Sequence, residues 1–129
     1  MAKNKIRTLI IDDSALVRQV LTEILNDSQD IEVVGVAADP LIAREKIKEL
    51  NPDVLTLDVE MPRMDGYELA THIRNDEVMK NLPIVMITSR TGDKHRQRAM
   101  DIGVNKYMGK PFQEADLLKN IEEALDESR

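Results

Sequence analysis

Five short apolar runs, recurring about every 25 residues and each followed by a stretch of helical periodicity, constrain this chain more than any other feature. They are Lys5 to Ile11, Ile31 to Val36, Val54 to Asp58, Pro83 to Thr88 and Asn105 to Met108. The first, third and fourth are nearly continuous in Ile, Leu and Val, as in strands buried on both faces of a sheet. Between them the period changes. Val17, Val20, Leu21 and Ile24 fall at i, i+3, i+4 and i+7, which predicts a helix over Ser14 to Asn26. Asp39-Pro40 reads as an N-cap with proline at the first helical position, and Ala43, Ile47 and Leu50 share a face before Asn51-Pro52 stops the helix. Asp65 begins a third helix with Glu68 as a capping-box partner and Leu69 and Ile73 inward. The fourth, Asp93 to Ile102, is the weakest, with only Ala99 and Ile102 as an inward pair before Gly103 ends it. The fifth spans Gln113 to Glu127 and carries Leu117, Leu118, Ile121, Ala124 and Leu125. Strict strand–helix alternation implies an α/β domain, a parallel sheet with helices on both faces and right-handed crossovers.

Most of the strands end in residues that a core would reject. The first runs into Asp12-Asp13, the third onto Asp58, the fourth onto Thr88-Ser89, and the fifth leads to Lys110. In a doubly wound sheet all parallel strands deliver their C-terminal ends to one edge, and ligands bind near the point where strand order reverses. A strand order of 2-1-3-4-5 makes the first and third strands neighbours there. Asp12 and Asp13 then face Asp58, with Thr88 and Lys110 on its far side. Three clustered carboxylates require a cation. An all-oxygen donor set without Cys or His favours a hard ion such as Mg²⁺, and no loop has the ligand spacing of an EF-hand. An acidic metal site beside a lysine and a hydroxyl suits phosphoryl chemistry, with Asp58 as the attacking carboxylate, Lys110 on one phosphoryl oxygen and Thr88 on another. Taken singly, each residue has a plainer reading: Asp as a helix cap, Thr as a strand end, Lys as solvated surface. Their coincidence at successive strand ends gives the site its weight. Tyr107 alone reads as half-buried filler, and His72 and His95 as surface.

Composition narrows the classes. With 42% hydrophobic and 33% charged residues, the 129-residue chain reads as one soluble domain over 1–129. Only three aromatics (Tyr67, Tyr107, Phe112) leave the core aliphatic. The lack of cysteine removes thiolate and disulfide chemistry and fits a reducing, cytoplasmic setting. A net charge of −6 argues against a general nucleic-acid binder, and no apolar run approaches a membrane span.

The acidic pair Asp12-Asp13, Asp58 with Met61-Pro62 and Asp65-Gly66 behind it, Thr88, and Lys110-Pro111 together resemble the receiver domains of two-component response regulators. That resemblance covers the chain from the first strand to the last helix. It implies a flavodoxin-like (βα)5 fold and phosphorylation of Asp58 by a phosphohistidine on a sensor histidine kinase. It implies Mg²⁺, with Mn²⁺ as a substitute, held by Asp13, Asp58 and the backbone carbonyl of Glu60, with Asp12 assisting through water. Thr88 and Tyr107 match the family's switch pair, Lys110 its phosphoryl-binding lysine, and a cis bond between Lys110 and Pro111 is expected. The expected output is a change in the face formed by residues 93–102, 105–108 and 113–127, read by a downstream protein or effector domain. The chain is expected to act as a monomer or weak dimer.

Within the family the likeness divides. Ile6 through Gly66, with Asp39-Pro40 and Leu55-Thr56-Leu57-Asp58-Val59-Glu60-Met61-Pro62, is similar to the receivers of chemotaxis methylesterases. From Tyr67 onward, with Ile87-Thr88-Ser89-Arg90 and Gly103-Val104-Asn105-Lys106-Tyr107, it is more similar to receivers of hybrid chemotaxis kinases or to a stand-alone chemotaxis regulator. A recombined or engineered chimera joined near Gly66 is one expectation and an excised domain another. Two other functional classes stand beside the switch: an aspartyl-phosphate phosphatase, whose second Asp would here be Glu60, and a phosphorylation-silent scaffold. A turnover enzyme is not expected.

Overall fold

The structure is a computed structural model that describes residues 5–61, 64–90 and 92–127. Pro62, Arg63 and Thr91 lie outside the described residues, including the proline of the Met61-Pro62 pair. Elements alternate strictly: β1 (Ile6–Ile11), α1 (Ala15–Asp27), β2 (Ile31–Ala37), α2 (Pro40–Leu50), β3 (Val54–Leu57), α3 (Gly66–Asn75), β4 (Ile84–Thr88), α4 (Asp93–Ile102), β5 (Lys106–Gly109) and α5 (Glu114–Glu127). The five strands form one parallel sheet in the order β2-β1-β3-β4-β5.

The pleat sorts the apolar runs into two cores. Leu9, Ile11, Leu55, Leu57, Ile84 and Met86 face α2, α3 and α4, whereas Ile10, Val54, Val85 and Ile87 face α1 and α5. Consecutive residues alternate between layers, so strands apolar on both sides are what a sheet covered on both faces demands.

Local chemistry sets the helix starts. Ser14 accepts a hydrogen bond from the Val17 amide, Asp39 from those of Leu41 and Ile42, and Asp65 from that of Glu68. Each cap satisfies amides that the first helical turn leaves open. Helix α4 lacks this device. Its N-cap is Gly92, at φ 143°, with no side-chain cap, and Ala99 is its one buried residue. β5 begins at Lys106 and runs to Gly109, one residue later at each end than the apolar pattern suggests, and the Asn105 side chain just before it bonds outside the ladder. Its Oδ1 accepts from the Ile84 amide and from Arg74, pinning the α4–β5 connection to the start of β4.

Candidate functional site

The ladders deliver the acids. Ile11 and Leu57 are the last partners in the β1–β3 register, so Asp12 and Asp58 leave adjacent strands together. The Asp12 amide donates to the Ala37 carbonyl at 3.0 Å, and the Asp58 amide to that of Ile11 at 2.9 Å. On the other side of the sheet's midline, Thr88 and Gly109 close the β4–β5 register, and the Lys110 amide donates to the Thr88 carbonyl at 2.9 Å. The Lys110–Pro111 peptide bond is cis.

Four sequence-predicted residues converge. Asp12, Asp13 and Asp58 each offer a carboxylate oxygen, and these oxygens lie within 4.8 Å of one another. Asp12 and Asp58 are buried while Asp13 is exposed at the rim. Lys110 Nζ reaches Asp12 Oδ2 at 2.9 Å and Asp58 Oδ1 at 3.3 Å, so the lysine sits between two acids from neighbouring strands. Asp12 is further held by the Ser14 amide on its Oδ1, while Arg18 donates to its carbonyl.

The electrostatics follow from crowding. Burial, then the Asp12 charge, pushes the Asp58 carboxyl up from 3.8 to about 6, with Asp13 adding to the push and Lys110 opposing it. Burial works against the Lys110 ammonium, but its hydrogen bond to Asp12 and the Asp58 and Asp12 charges outweigh it and hold the group above its ordinary value. One lysine therefore compensates the acids only in part. The donor set is all oxygen, compact and short of positive charge, which fits a hard divalent cation.

Thr88 ends β4 and Tyr107 stands on the neighbouring β5. Thr88 is fully buried, and its Oγ1 accepts the Arg90 amide at 3.0 Å. Tyr107 is half-buried on β5, and its hydroxyl donates to the Arg90 carbonyl. Burial, followed by the neighbouring Tyr67 hydroxyl, raises the Tyr107 phenol above its ordinary range. Glu60 projects an exposed side chain that pairs with Arg90 Nε at 3.5 Å and accepts from Ser89 Oγ at 3.3 Å. Arg90 is thus tied to Thr88 by its amide, to Tyr107 by its carbonyl and to Glu60 by its side chain.

Sequence reasoning missed three things. The contacts of the Glu60 side chain with Ser89 and Arg90 are the first; only the β3–β4 adjacency shows that the loops after those strands meet. Gly66 is the second. A Cβ there would lie 2.2 Å from the Asp58 carbonyl oxygen and 2.8 Å from Val59 Cα, and the Gly66 amide donates to the Val59 carbonyl at 2.8 Å. The loop after Asp58 folds back on itself, and only glycine fits the contact. The third is His95: it is half-buried, not a surface residue, and its carbonyl faces the Tyr67 hydroxyl. His72 is exposed.

A parallel sheet in the order 2-1-3-4-5 with helices on both faces and acids at its strand tips places the molecule among flavodoxin-like α/β domains. The model of the response regulator receiver domain family matches residues 8–122, and the chain belongs to that family. A protein-glutamate methylesterase/protein-glutamine glutaminase of Hydrogenovibrio crunogenus is 50% identical over 126 residues, covering 96% of this chain and 32% of its own length. The chain thus spans about a third of that relative, and a match over 96% of this chain extends well past Gly66. The response regulator domain of Thermotoga maritima CheB superposes with a TM-score of 0.85 at 34% identity, covering 95% of this chain and 98% of that one. CheY in the CheX-CheY-BeF3-Mg²⁺ complex of Borrelia burgdorferi matches with a TM-score of 0.83 at 29% identity, over 92% of this chain and 87% of that one. No helix among the described residues is long and apolar enough to cross a membrane.

Proposed function

We propose that the chain is a phosphorylation switch that accepts a phosphoryl group on the Asp58 carboxylate from a phosphohistidine of a sensor histidine kinase. The observation that carries this reading is the meeting of Asp12, Asp13 and Asp58 around Lys110 Nζ. An Asp58 oxygen forms the new bond to phosphorus as the P–N bond of the donor breaks, and the released imidazole nitrogen takes a proton from solvent. Asp13, Asp58 and the Glu60 backbone carbonyl would hold Mg²⁺ (or Mn²⁺), with Asp12 assisting. When bound, the cation neutralises carboxylate and phosphoryl oxygens. The Borrelia relative, found with Mg²⁺ and beryllofluoride, supports the choice of cation. Lys110 keeps one contact within the acidic pocket and turns its charge to a phosphoryl oxygen.

The signal leaves through Thr88. Its hydroxyl swings to the phosphoryl group, releases the Arg90 amide and lets Tyr107 turn inward, which remodels the α4–β5–α5 face for a downstream protein or effector domain. The chain itself turns over no external substrate beyond accepting and slowly hydrolysing its own acyl phosphate. The likeness to methylesterase receivers makes a chemotaxis-type pathway the reading for its partners.

Acetyl phosphate with Mg²⁺, read by intact-protein mass, tests the assignment. An adduct of ~80 Da on the wild type that is lost in Asp58→Asn is expected for an aspartyl phosphate. An adduct retained in the variant, or none with any donor including kinase, overturns it; steady phosphate release from monoesters would point to the phosphatase class instead.

A further inference from the structure

The acids of the pair Asp12-Asp13 are held unequally. The Ile11–Asp12 peptide is bonded on both sides, its carbonyl to the Asp58 amide at 2.9 Å and its amide to the Ala37 carbonyl at 3.0 Å. The Asp12 carboxylate is held as firmly, by the Ser14 amide on Oδ1 and by Lys110 Nζ on Oδ2, each at 2.9 Å. Asp13 differs. Its carboxylate is exposed and takes no hydrogen bond among the described residues, so its place in the acidic cluster is set by the backbone that carries it. That backbone begins with the Asp12–Asp13 peptide, past Ile11–Ala37, the last rung of the β1–β2 ladder. Its carbonyl accepts from Arg18 Nη1 at 2.8 Å. Arg18 is half-buried in α1, where its amide donates to the Ser14 carbonyl at 3.0 Å and its carbonyl accepts from Thr22 Oγ1 at 2.7 Å. The guanidinium therefore folds back from a root that the helix keeps rigid.

We infer that Arg18 is a positioning residue for the divalent cation: by tying the Asp12–Asp13 peptide to the start of α1, it keeps the Asp13 carboxylate within reach of Asp58. This rests on the cation site of the switch reading above. The role is one of geometry and runs against charge. A guanidinium beside three carboxylates repels an incoming cation, so Coulomb's law alone makes its removal tighten binding. Loss of the anchor does the opposite, because groups that orient a metal ligand from behind are worth about tenfold or more in affinity. The sign of the change separates the two effects.

Arg18→Ala is the variant to test, since alanine suits the helix and removes both the charge and the bond. Arg18→Lys keeps the charge on a shorter arm, so any weakening it shows is geometric. Mn²⁺ affinity of the full chain is measured by water-proton relaxation, and circular dichroism confirms the fold. Arg18→Ala is expected to bind Mn²⁺ about tenfold more weakly than the wild type, with Arg18→Lys between the two. An arginine that only braces the helix would lower the melting temperature and leave the affinity unchanged. Equal or tighter binding in folded Arg18→Ala overturns the inference. Where Arg18→Ala fails to fold, Arg18→Lys decides: weakened binding supports the inference and wild-type binding overturns it. Asp58→Asn keeps the failures apart. A wild type that binds no Mn²⁺, or binds it as well in Asp58→Asn, sinks the cation site and this inference with it. Binding that Asp58→Asn loses and Arg18→Ala keeps leaves the site standing and overturns the role of Arg18 alone.

Discussion

The acid-lined strand ends and the α4 end of this domain are held in opposite ways. Asp12 and Asp58 leave central strands whose amides are bonded to neighbouring strands, and the loop behind Asp58 is folded onto its own carbonyl by Gly66. The helices α1, α2 and α3 each begin with a side-chain cap, and α3 buries Tyr67, Leu69, Ala70 and Ile73. Helix α4 begins at an uncapped glycine and buries one alanine. At ~0.8 kcal/mol for each buried methyl-sized group, its own core contact is worth little beside that of α3. The contrast suits the proposed switch. A site that gathers charge needs fixed geometry, whereas an element meant to respond must be held by no more than a local charge can overcome.

The largest expected effect breaks the fixed side. Gly66→Ala places a methyl against the Asp58 carbonyl and Val59 Cα, which are backbone atoms that cannot rotate away. A loss of roughly 3 kcal/mol or more is expected from this overpacking, together with slower phosphorylation because the acceptor's carbonyl must shift. Urea denaturation and the rate of adduct formation check it. A fully stable variant with normal rates would mean that the loop behind Asp58 does not hold the acceptor rigidly.

Somewhat smaller, and opposite in sign, is the effect of Asp58→Asn. An acid whose folded value is raised from 3.8 to about 6 binds its proton more tightly in the folded chain, so its stabilising contribution is complete below about pH 4 and is lost as pH rises through 6. Above that window the buried charge weakens the metal-free fold by roughly 3 kcal/mol. In EDTA the variant should match the wild type near pH 4 and exceed it at pH 7.5, and saturating Mg²⁺ should close the gap by stabilising the wild type. A pH-independent difference in denaturation midpoints would show that the pocket is not under charge strain.

What the sequence carried plainly was local or periodic. The alternation of apolar runs fixed the class of fold, the Ser14, Asp39 and Asp65 caps are read from single residues, and the strand-end acids stand out because apolar runs do not otherwise end on adjacent carboxylates. What stayed hidden depends on surfaces brought together by folding. Arg74 donates to the carbonyls of Gly103, Lys80 and Leu82 and to the Asn105 side chain, bracing the turns below α4. Backbone carbonyls leave no trace in residue type, so nothing in the sequence distinguishes it from a solvated arginine. Tyr67 and Gly66 are hidden for the same reason: one is defined by a hydroxyl's partners and the other by the absence of room.

The smallest effect sharpens the yielding side. Glu60 and Arg90 form an exposed pair between the loops after β3 and β4, a geometry worth under about 1 kcal/mol. Glu60→Gln should leave the melting temperature unchanged. The Arg90 amide, which donates to Thr88 Oγ1, reports whether that loop is latched, because it exchanges only when the bond opens. At low salt the variant's Arg90 amide should exchange about two- to fivefold faster than the wild type's. At ~1 M salt, where the screening length falls to ~3 Å, the two should converge. Equal exchange at low salt would assign the restraint on Thr88 to the Tyr107 contact alone. Faster exchange that persists at high salt would implicate the Ser89 hydrogen bond to Glu60, since a neutral donor paired with a carboxylate is less sensitive to screening than two full charges.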